Sequence, residues 1–242
     1  MKVSSLWVGP DLPDLQAMCI RTFLPHHEYH LWTYQEYSNI PNGVIAHDAQ
    51  ELIPLEVYQK YEESGLKHYR QTFSNHFRYK LIHEVGDWWV DTDLICIKTL
   101  PDDEYVFTFV EDIPLRLELQ GLGLPEMGGN LANGFFKAPA KCEFMAKLVE
   151  VIERELSSGV PECFGEWGTI LFTKTAVDLG LYGFRLPKSL IGNNYNTWPQ
   201  IYQDKEFQIP ESAYALHLYN YVKGDTDFVE GTVLAKYMEN YS

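Results

Sequence analysis

The feature that most restricts this chain is an alternation of strand-like and helix-like segments through its first hundred residues. Val3 to Val8 is an apolar run of strand length, after which Leu12, Leu15, Met18, Cys19, Thr22 and Phe23 recur at helical spacing until Pro25 stops them. Tyr29 to Tyr34 reads as a second strand, Pro41-Asn42-Gly43 as a turn and Val44 to Ala46 as extended chain. A helix is expected from Leu55 to about Leu66, with its end marked by Ser64-Gly65. Phe73, Phe77 and Leu81 define one face of a further helix, which Gly86 ends before a strand running from Trp88 to Ile97. Parallel strands need helical crossovers, so the pattern predicts an α/β fold with a mixed, mostly parallel central sheet flanked by helices. Ligands in such folds gather at the carboxyl ends of the strands.

The second half is less regular. Pro114 to Gly129 holds several Gly and Pro with little periodicity and reads as a long loop able to cover a site. A strand through Phe135, a helix from Cys142 to Leu156 and a helical segment from Trp167 to Leu179 follow. With no repeat or linker to divide it, the chain of 242 residues is expected to form a single domain, 1–242.

Charge narrows the partners. Asp and Glu number 34 against 19 Lys and Arg, a net charge of −15, so the surface repels nucleic acid and acidic membranes. An anionic ligand then needs a local basic pocket. The start, MKVSSLWVGPDLPDLQ, has Pro and acidic residues where a secretory signal has an apolar core, and no apolar run reaches membrane-spanning length. A soluble, cytoplasmic chain is expected. Cys19, Cys96, Cys142 and Cys163 lack any CxxC pair and read as reduced core thiols.

The chemistry concentrates in Trp88-Trp89-Val90-Asp91-Thr92-Asp93, where an aromatic, β-branched strand runs into two carboxylates. Strand periodicity places Asp91 and Asp93 on the same face. Hard oxygen ligands suit Mn²⁺ or Mg²⁺, which such sites share with substrate phosphates. The chain supplies its own control in a second copy, Asp225-Thr226-Asp227, which follows Lys223-Gly224 in a polar, turn-like setting and is expected to have no function. On the helix before the strand, Ser74 and Arg78 are i, i+4 neighbours and Asn75 is i, i+3 from Arg78. Arg78 is placed to offset a phosphate, orient a sugar hydroxyl or pair with Asp91. Asn130 and Asn133, in Gly129-Asn130-Leu131-Ala132-Asn133-Gly134, fit either a sugar contact or a turn, and Glu166 and Trp167 either acceptor binding or a helix start.

Three blocks together are similar to a known family. Leu6-Trp7-Val8-Gly9, then Phe73 to Leu81 (FSNHFRYKL), then Gly86 to Asp93 (GDWWVDTD) resemble the sugar-binding-region glycosyltransferases with a DXD motif. That group includes initiating mannosyltransferases and α-1,4-galactosyltransferases and is related distantly to clostridial glucosylating toxins. The likeness returns in Ser212 to Asn220 (SAYALHLYN). It implies a GT-A type fold and metal-dependent transfer of a sugar, with retention, from a nucleotide donor such as a UDP- or GDP-sugar to a hydroxyl of a glycan or other acceptor.

By this resemblance Trp7 stacks on the base, Asn75 and Arg78 contact the donor sugar, Asp91 faces ribose and metal, and Asp93 and His217 bind the metal. Ser74, Trp89 and Thr92 fall within the same blocks and count with the donor residues. Lys223 resembles a C-terminal lysine that neutralises diphosphate. Residues 1–100 would hold nucleotide sugar and metal, and 101–242 the acceptor and a closing C-terminal segment. Two departures stand out: Asn75 replaces a common Asp, and Gly86-Asp87 replaces Gly-Gly. A sugar-1-phosphate nucleotidyltransferase should instead open on a Gly-rich basic loop, which Leu6-Trp7-Val8-Gly9-Pro10 is not. A non-catalytic carbohydrate-binding module would explain the 16 Tyr and 6 Trp of the chain but not the order of helix, strand and carboxylates.

Overall fold

The computed structural model describes residues 1–109, 129–163, 165–184, 190–193, 197–219 and 228–241. The expected alternation is present: β1 (Lys2–Trp7), α1 (Asp14–Phe23), β2 (Glu28–Thr33), β3 (Ile45–Asp48), α2 (Leu55–Glu63), α3 (Tyr69–Val85) and β4 (Asp87–Val90). After a short β5 (Leu94–Cys96) come β6 (Val106–Phe109), β7 (Leu131–Ala138), α4 (Glu143–Leu156), a π-type turn (Glu166–Ile170) and α5 (Leu171–Asp178). Then follow α6 (Trp198–Gln203), β8 (Ala215–His217) and α7 (Val233–Tyr241). The loop expected from Pro114 to Gly129 falls almost wholly outside the described residues.

The main sheet has the order β3-β2-β1-β4-β7-β6. β3, β2, β1 and β4 pair in parallel, and β7 alone runs against the others, between β4 and β6. Residues of opposite pleat fill the two faces. Leu6, Trp89 and Phe136 join Phe73, Phe77 and Leu81 of α3 in one core, while Val3, Trp88, Val90 and Phe135 join Ile20 and Phe23 of α1 in the other. Phe73, Phe77 and Leu81 are fully buried, each contributing about 1.5–3 kcal/mol of transfer free energy. A third cluster lies under α6 and α7.

One expectation is corrected here. The segment from Trp88 to Ile97 is two strands, with Asp91-Thr92-Asp93 in the turn between them. β4 belongs to the main sheet, whereas β5 leaves it and pairs antiparallel with β8. The two carboxylates therefore sit at a junction between sheets, and strand alternation is not what brings them together. Of the cysteines, Cys19 and Cys96 are buried thiols as expected, but Cys142 is half-buried and Cys163 exposed.

The approach to this junction is set by Gly86-Asp87. Gly86 has φ 70° and ψ −165°, a region open almost only to glycine, and a Cβ there would lie 2.5 Å from the Ala140 nitrogen. Asp87 also has φ 70°, and its carboxylate accepts the Lys2 N–H at 2.7 Å. This bond offsets the strain of a non-glycine residue where Gly-Gly was the expected pair. Gly86→Ala should lower unfolding free energy by about 2 kcal/mol or more, read by chemical denaturation; an unchanged midpoint would show that the turn tolerates a side chain.

Candidate metal and donor site

β1 and β4 run side by side, with Ser4 level with Trp89, so their carboxyl ends bring Trp7 and Asp91 to the same rim of the sheet. Ser5 fixes that rim from below: its buried Oγ donates to the Val90 carbonyl at 2.6 Å and lies 2.6 Å from the Tyr29 hydroxyl. The Asp91 N–H continues the β4–β7 ladder by donating to the Gly134 carbonyl at 2.8 Å. Beyond the turn, β5 pairs with β8 so that Leu94 faces His217, and the Leu218 N–H donates to the Asp93 carbonyl at 2.9 Å. That register delivers His217, remote in sequence, to the side of Asp93.

Asp91, Asp93 and His217 each present a ligand atom, all within 4.8 Å of one another. His217 Nε2 is 3.3 Å from Asp93 Oδ1, with side-chain exposures of 16% and 14%, and Asp91 is 29% exposed, so the cluster is sheltered yet reachable. Two carboxylates and an imidazole are a fitting donor set for a divalent cation.

Arg78 is the counter-charge. Its guanidinium donates from Nε to the Ser74 carbonyl at 3.1 Å, from Nη2 to Ser74 Oγ at 2.9 Å, and from Nη1 to the Asn133 carbonyl. The same Nη2 is 3.2 Å from Asp91 Oδ1, and the cation lies 5.0 Å from the centre of the Trp89 ring. Arg78 is 5% exposed. Through these contacts it holds Asp91 and β7 in place, and the pairing with Asp91 is one of the roles its position on α3 allows. Trp89, 1% exposed, likewise supports Asp91 from beneath, donating Nε1–H to Oδ1 at 2.8 Å.

The remaining expected residues divide into two groups. Asn75, half-buried on α3, accepts at Oδ1 from Asn133 Nδ2 at 2.8 Å, and the Tyr79 hydroxyl lies 2.9 Å from the same nitrogen while donating to the Trp167 carbonyl at 3.1 Å. This ties α3, β7 and the π-type turn into one wall. Thr92 lies in the turn between the carboxylates. Trp7 is half-buried at the rim with Nε1–H donated to the Asp11 carbonyl at 2.7 Å. Its ring rests on Gly9, where a Cβ would come within 2.6 Å of it.

Trp167, in contrast, is 2% exposed, packs edge-on against Tyr61 and donates to Glu155 at 2.7 Å, so its indole belongs to the core and only its backbone faces the wall. Asn130 is 1% exposed. Glu166 is exposed. Lys223 and the second acidic pair, Asp225 and Asp227, lie outside the described residues.

Gly134, which with Asn133 forms a turn-like pair in the sequence, lies within β7. A Cβ on it would stand 2.5 Å from Asp91 Oδ2 and 3.1 Å from Cγ, so glycine is what lets the carboxylate seat against β7. A lone glycine within a strand pattern signals such close approach.

Burial raises the Asp91 pKa above its ordinary range, opposed by Arg78 and assisted by Asp93. For His217 burial opposes the charged form, but Asp93 and then Asp91 favour it, and the net shift is upward from 6.5. A raised imidazole pKa contributes stability that is complete below about 6.5 and is lost as pH rises through the folded value. The same proton competes with a cation for Nε2.

No family profile matches the sequence, and no curated protein matches it either. Solved structures do. The chain is similar to the galactosyltransferase LgtC in complex with donor and acceptor sugar analogs, with TM-score 0.56, 10% identity, and coverage of 100% of this chain and 96% of that one. It is also similar to the PaToxG glycosyltransferase, with TM-score 0.50, 12% identity, and coverage of 74% and 68%. At these identities the likeness establishes the fold, which is the GT-A arrangement expected from the sequence.

Two outcomes follow for the site. Gly134→Ala should weaken Mn²⁺ binding by about tenfold or more in isothermal titration while the circular dichroism spectrum is kept; unaltered affinity would mean that Asp91 is not seated there. Mn²⁺ affinity should fall as pH is lowered through the raised His217 pKa, and His217→Ala should flatten that dependence.

Proposed function

We propose that this chain is a metal-dependent glycosyltransferase that moves a sugar from a nucleoside-diphosphate donor to an acceptor hydroxyl. The observation that carries the proposal is the convergence of Asp91, Asp93 and His217 at the carboxyl end of β4 in a fold shared with glycosyltransferases.

Asp91, Asp93 and His217 would hold Mn²⁺ or Mg²⁺, which when bound neutralises the diphosphate leaving group. This chain's own contribution is placement. Trp7, locked against Gly9 beside the carboxylates, offers a flat face for the base. Asn75, held by Asn133, and Thr92 line the approach for ribose and sugar, with Ser74 steadying Arg78 behind them. Residues 1–100 would form the donor half, and 101–242 the acceptor half, with Glu166 exposed at its edge and Lys223 in a closing segment.

In the transfer the bond from the anomeric carbon to the diphosphate oxygen breaks and a bond to the acceptor oxygen forms. Retention, which the sequence resemblance implies, fits front-face attack with the acceptor proton passing to the departing phosphate oxygen. Charge develops on that diphosphate, so preorganised electrostatics do most of the work.

The deciding experiment is a panel of UDP- and GDP-sugars screened with Mn²⁺ for thermal stabilisation, followed by detection of released nucleotide with an acceptor present. Stabilisation by none of them, at concentrations that saturate such enzymes, would overturn the proposal. Asp93→Asn should abolish Mn²⁺-dependent nucleotide binding and turnover with the fold intact. Trp7→Ala should weaken nucleoside-diphosphate binding by roughly 1–3 kcal/mol and leave Mn²⁺ affinity without nucleotide unaltered. Normal nucleotide binding with a much lower melting temperature would instead make Trp7 a packing residue.

A further inference from the structure

The peptide of His217 is gripped by a side chain from outside both sheets. Asn193 donates from Nδ2 to the His217 carbonyl at 2.7 Å and accepts the His217 N–H at Oδ1 at 2.8 Å. A carboxamide carries the same donor and acceptor as a peptide unit, so Asn193 takes the place of a strand neighbour. The residues before it begin that strand. The Tyr214 N–H donates to the Leu190 carbonyl at 2.8 Å, the Gly192 N–H donates to the Ala215 carbonyl at 2.8 Å, and Ile191 bridges Ala215 in parallel. At Gly192 a Cβ would stand 2.8 Å from the Ala213 Cβ and 2.9 Å from the Leu216 side chain, so the segment lies tight along β8. Where its backbone pairing ends, the Asn193 side chain extends the ladder to His217.

Asn193 is 8% exposed, so water competes little for these two bonds. On the ring itself, Tyr219 stacks at 3.9 Å between centroids and 26° between planes. Tyr219 adopts φ 50°, a left-handed conformation that is strained for a tyrosine and that places its ring against the imidazole. The peptide and the ring of His217 are thus held by two different groups.

We propose that Asn193 is a positioning residue for cation binding: by clamping the His217 peptide it sets where Nε2 meets Asp93, and so tunes the affinity of the centre. This rests on the reading of Asp91, Asp93 and His217 as the metal centre. Residues that orient a ligand from behind alter metal affinity by about 10–100-fold.

The test is titration of the full chain with Mn²⁺ alone. Asn193→Ala should weaken binding by about tenfold or more, and Asn193→Gln, which keeps the carboxamide but displaces it by one methylene, should fall between. In a His217→Ala background Asn193→Ala should have no further effect, because the residue acts through His217. An equal loss in both backgrounds, or no loss in either, would overturn the proposal. If the alanine variant does not fold, the glutamine variant carries the same comparison. Hydrogen exchange at the His217 amide, measured without metal, separates the two readings. Protection lost in Asn193→Ala together with no Mn²⁺ binding by the wild-type chain would overturn the metal reading and the role in affinity with it. Protection retained would overturn the clamp itself.

Discussion

The site depends on one buried cation. Arg78 reaches from α3 to the Ser74 carbonyl and hydroxyl, to the Asn133 carbonyl on β7, and to the Asp91 carboxylate at the end of β4. Burying a guanidinium is tolerable because three of these contacts are hydrogen bonds and the fourth is an ion pair. A planar fork with five donors can serve three directions at once, which a lysine ammonium cannot do with the same geometry. Through this group the helix face, the central strand and the reversed strand β7 agree on the position of a single carboxylate oxygen, and Trp89 fixes that oxygen from below.

The second carboxylate is governed by different structure. Asp93 belongs to the turn that leaves the main sheet, and its surroundings come from β5, β8 and the 190–193 segment. With His217 protonated, the cluster balances two carboxylates against a guanidinium and an imidazolium. A divalent cation that displaces the imidazole proton restores that balance with one charge to spare, which suits an anionic diphosphate. In a chain of net charge −15, the surplus positive charge that an anionic ligand would require there would come from the cation.

Much of this was legible in the residues. Periodicity located α1, α3 and α4 within a few positions, and the apolar row Phe73, Phe77, Leu81 is buried as a helix face should be. The rim position of Asp91 followed from an apolar strand ending in carboxylates. Periodicity misled where the chain changed sheets: Trp88 to Ile97 reads as one β-rich run because β4 and β5 are both buried, and nothing local announces that the partner strand changes at Asp91. Trp167 misled for a related reason, since an aromatic beside an exposed Glu166 looks the same whether its indole turns to solvent or to Tyr61.

What the sequence determined by itself was the list of parts: an α/β alternation, an acidic pair at a strand end, a helix carrying Ser74, Asn75 and Arg78, and a distant His217 in a recognisable block. These are legible because periodicity and residue chemistry are local properties. What only the tertiary structure decided was which parts touch. Gly134 matters because Asp91 lies 2.5 Å from where its Cβ would be, Asn193 because its carboxamide meets the His217 peptide, and Arg78 because three elements converge on it. These contacts join elements well separated along the chain, and their meeting is set by the register and packing of the whole sheet, which no short window of sequence contains.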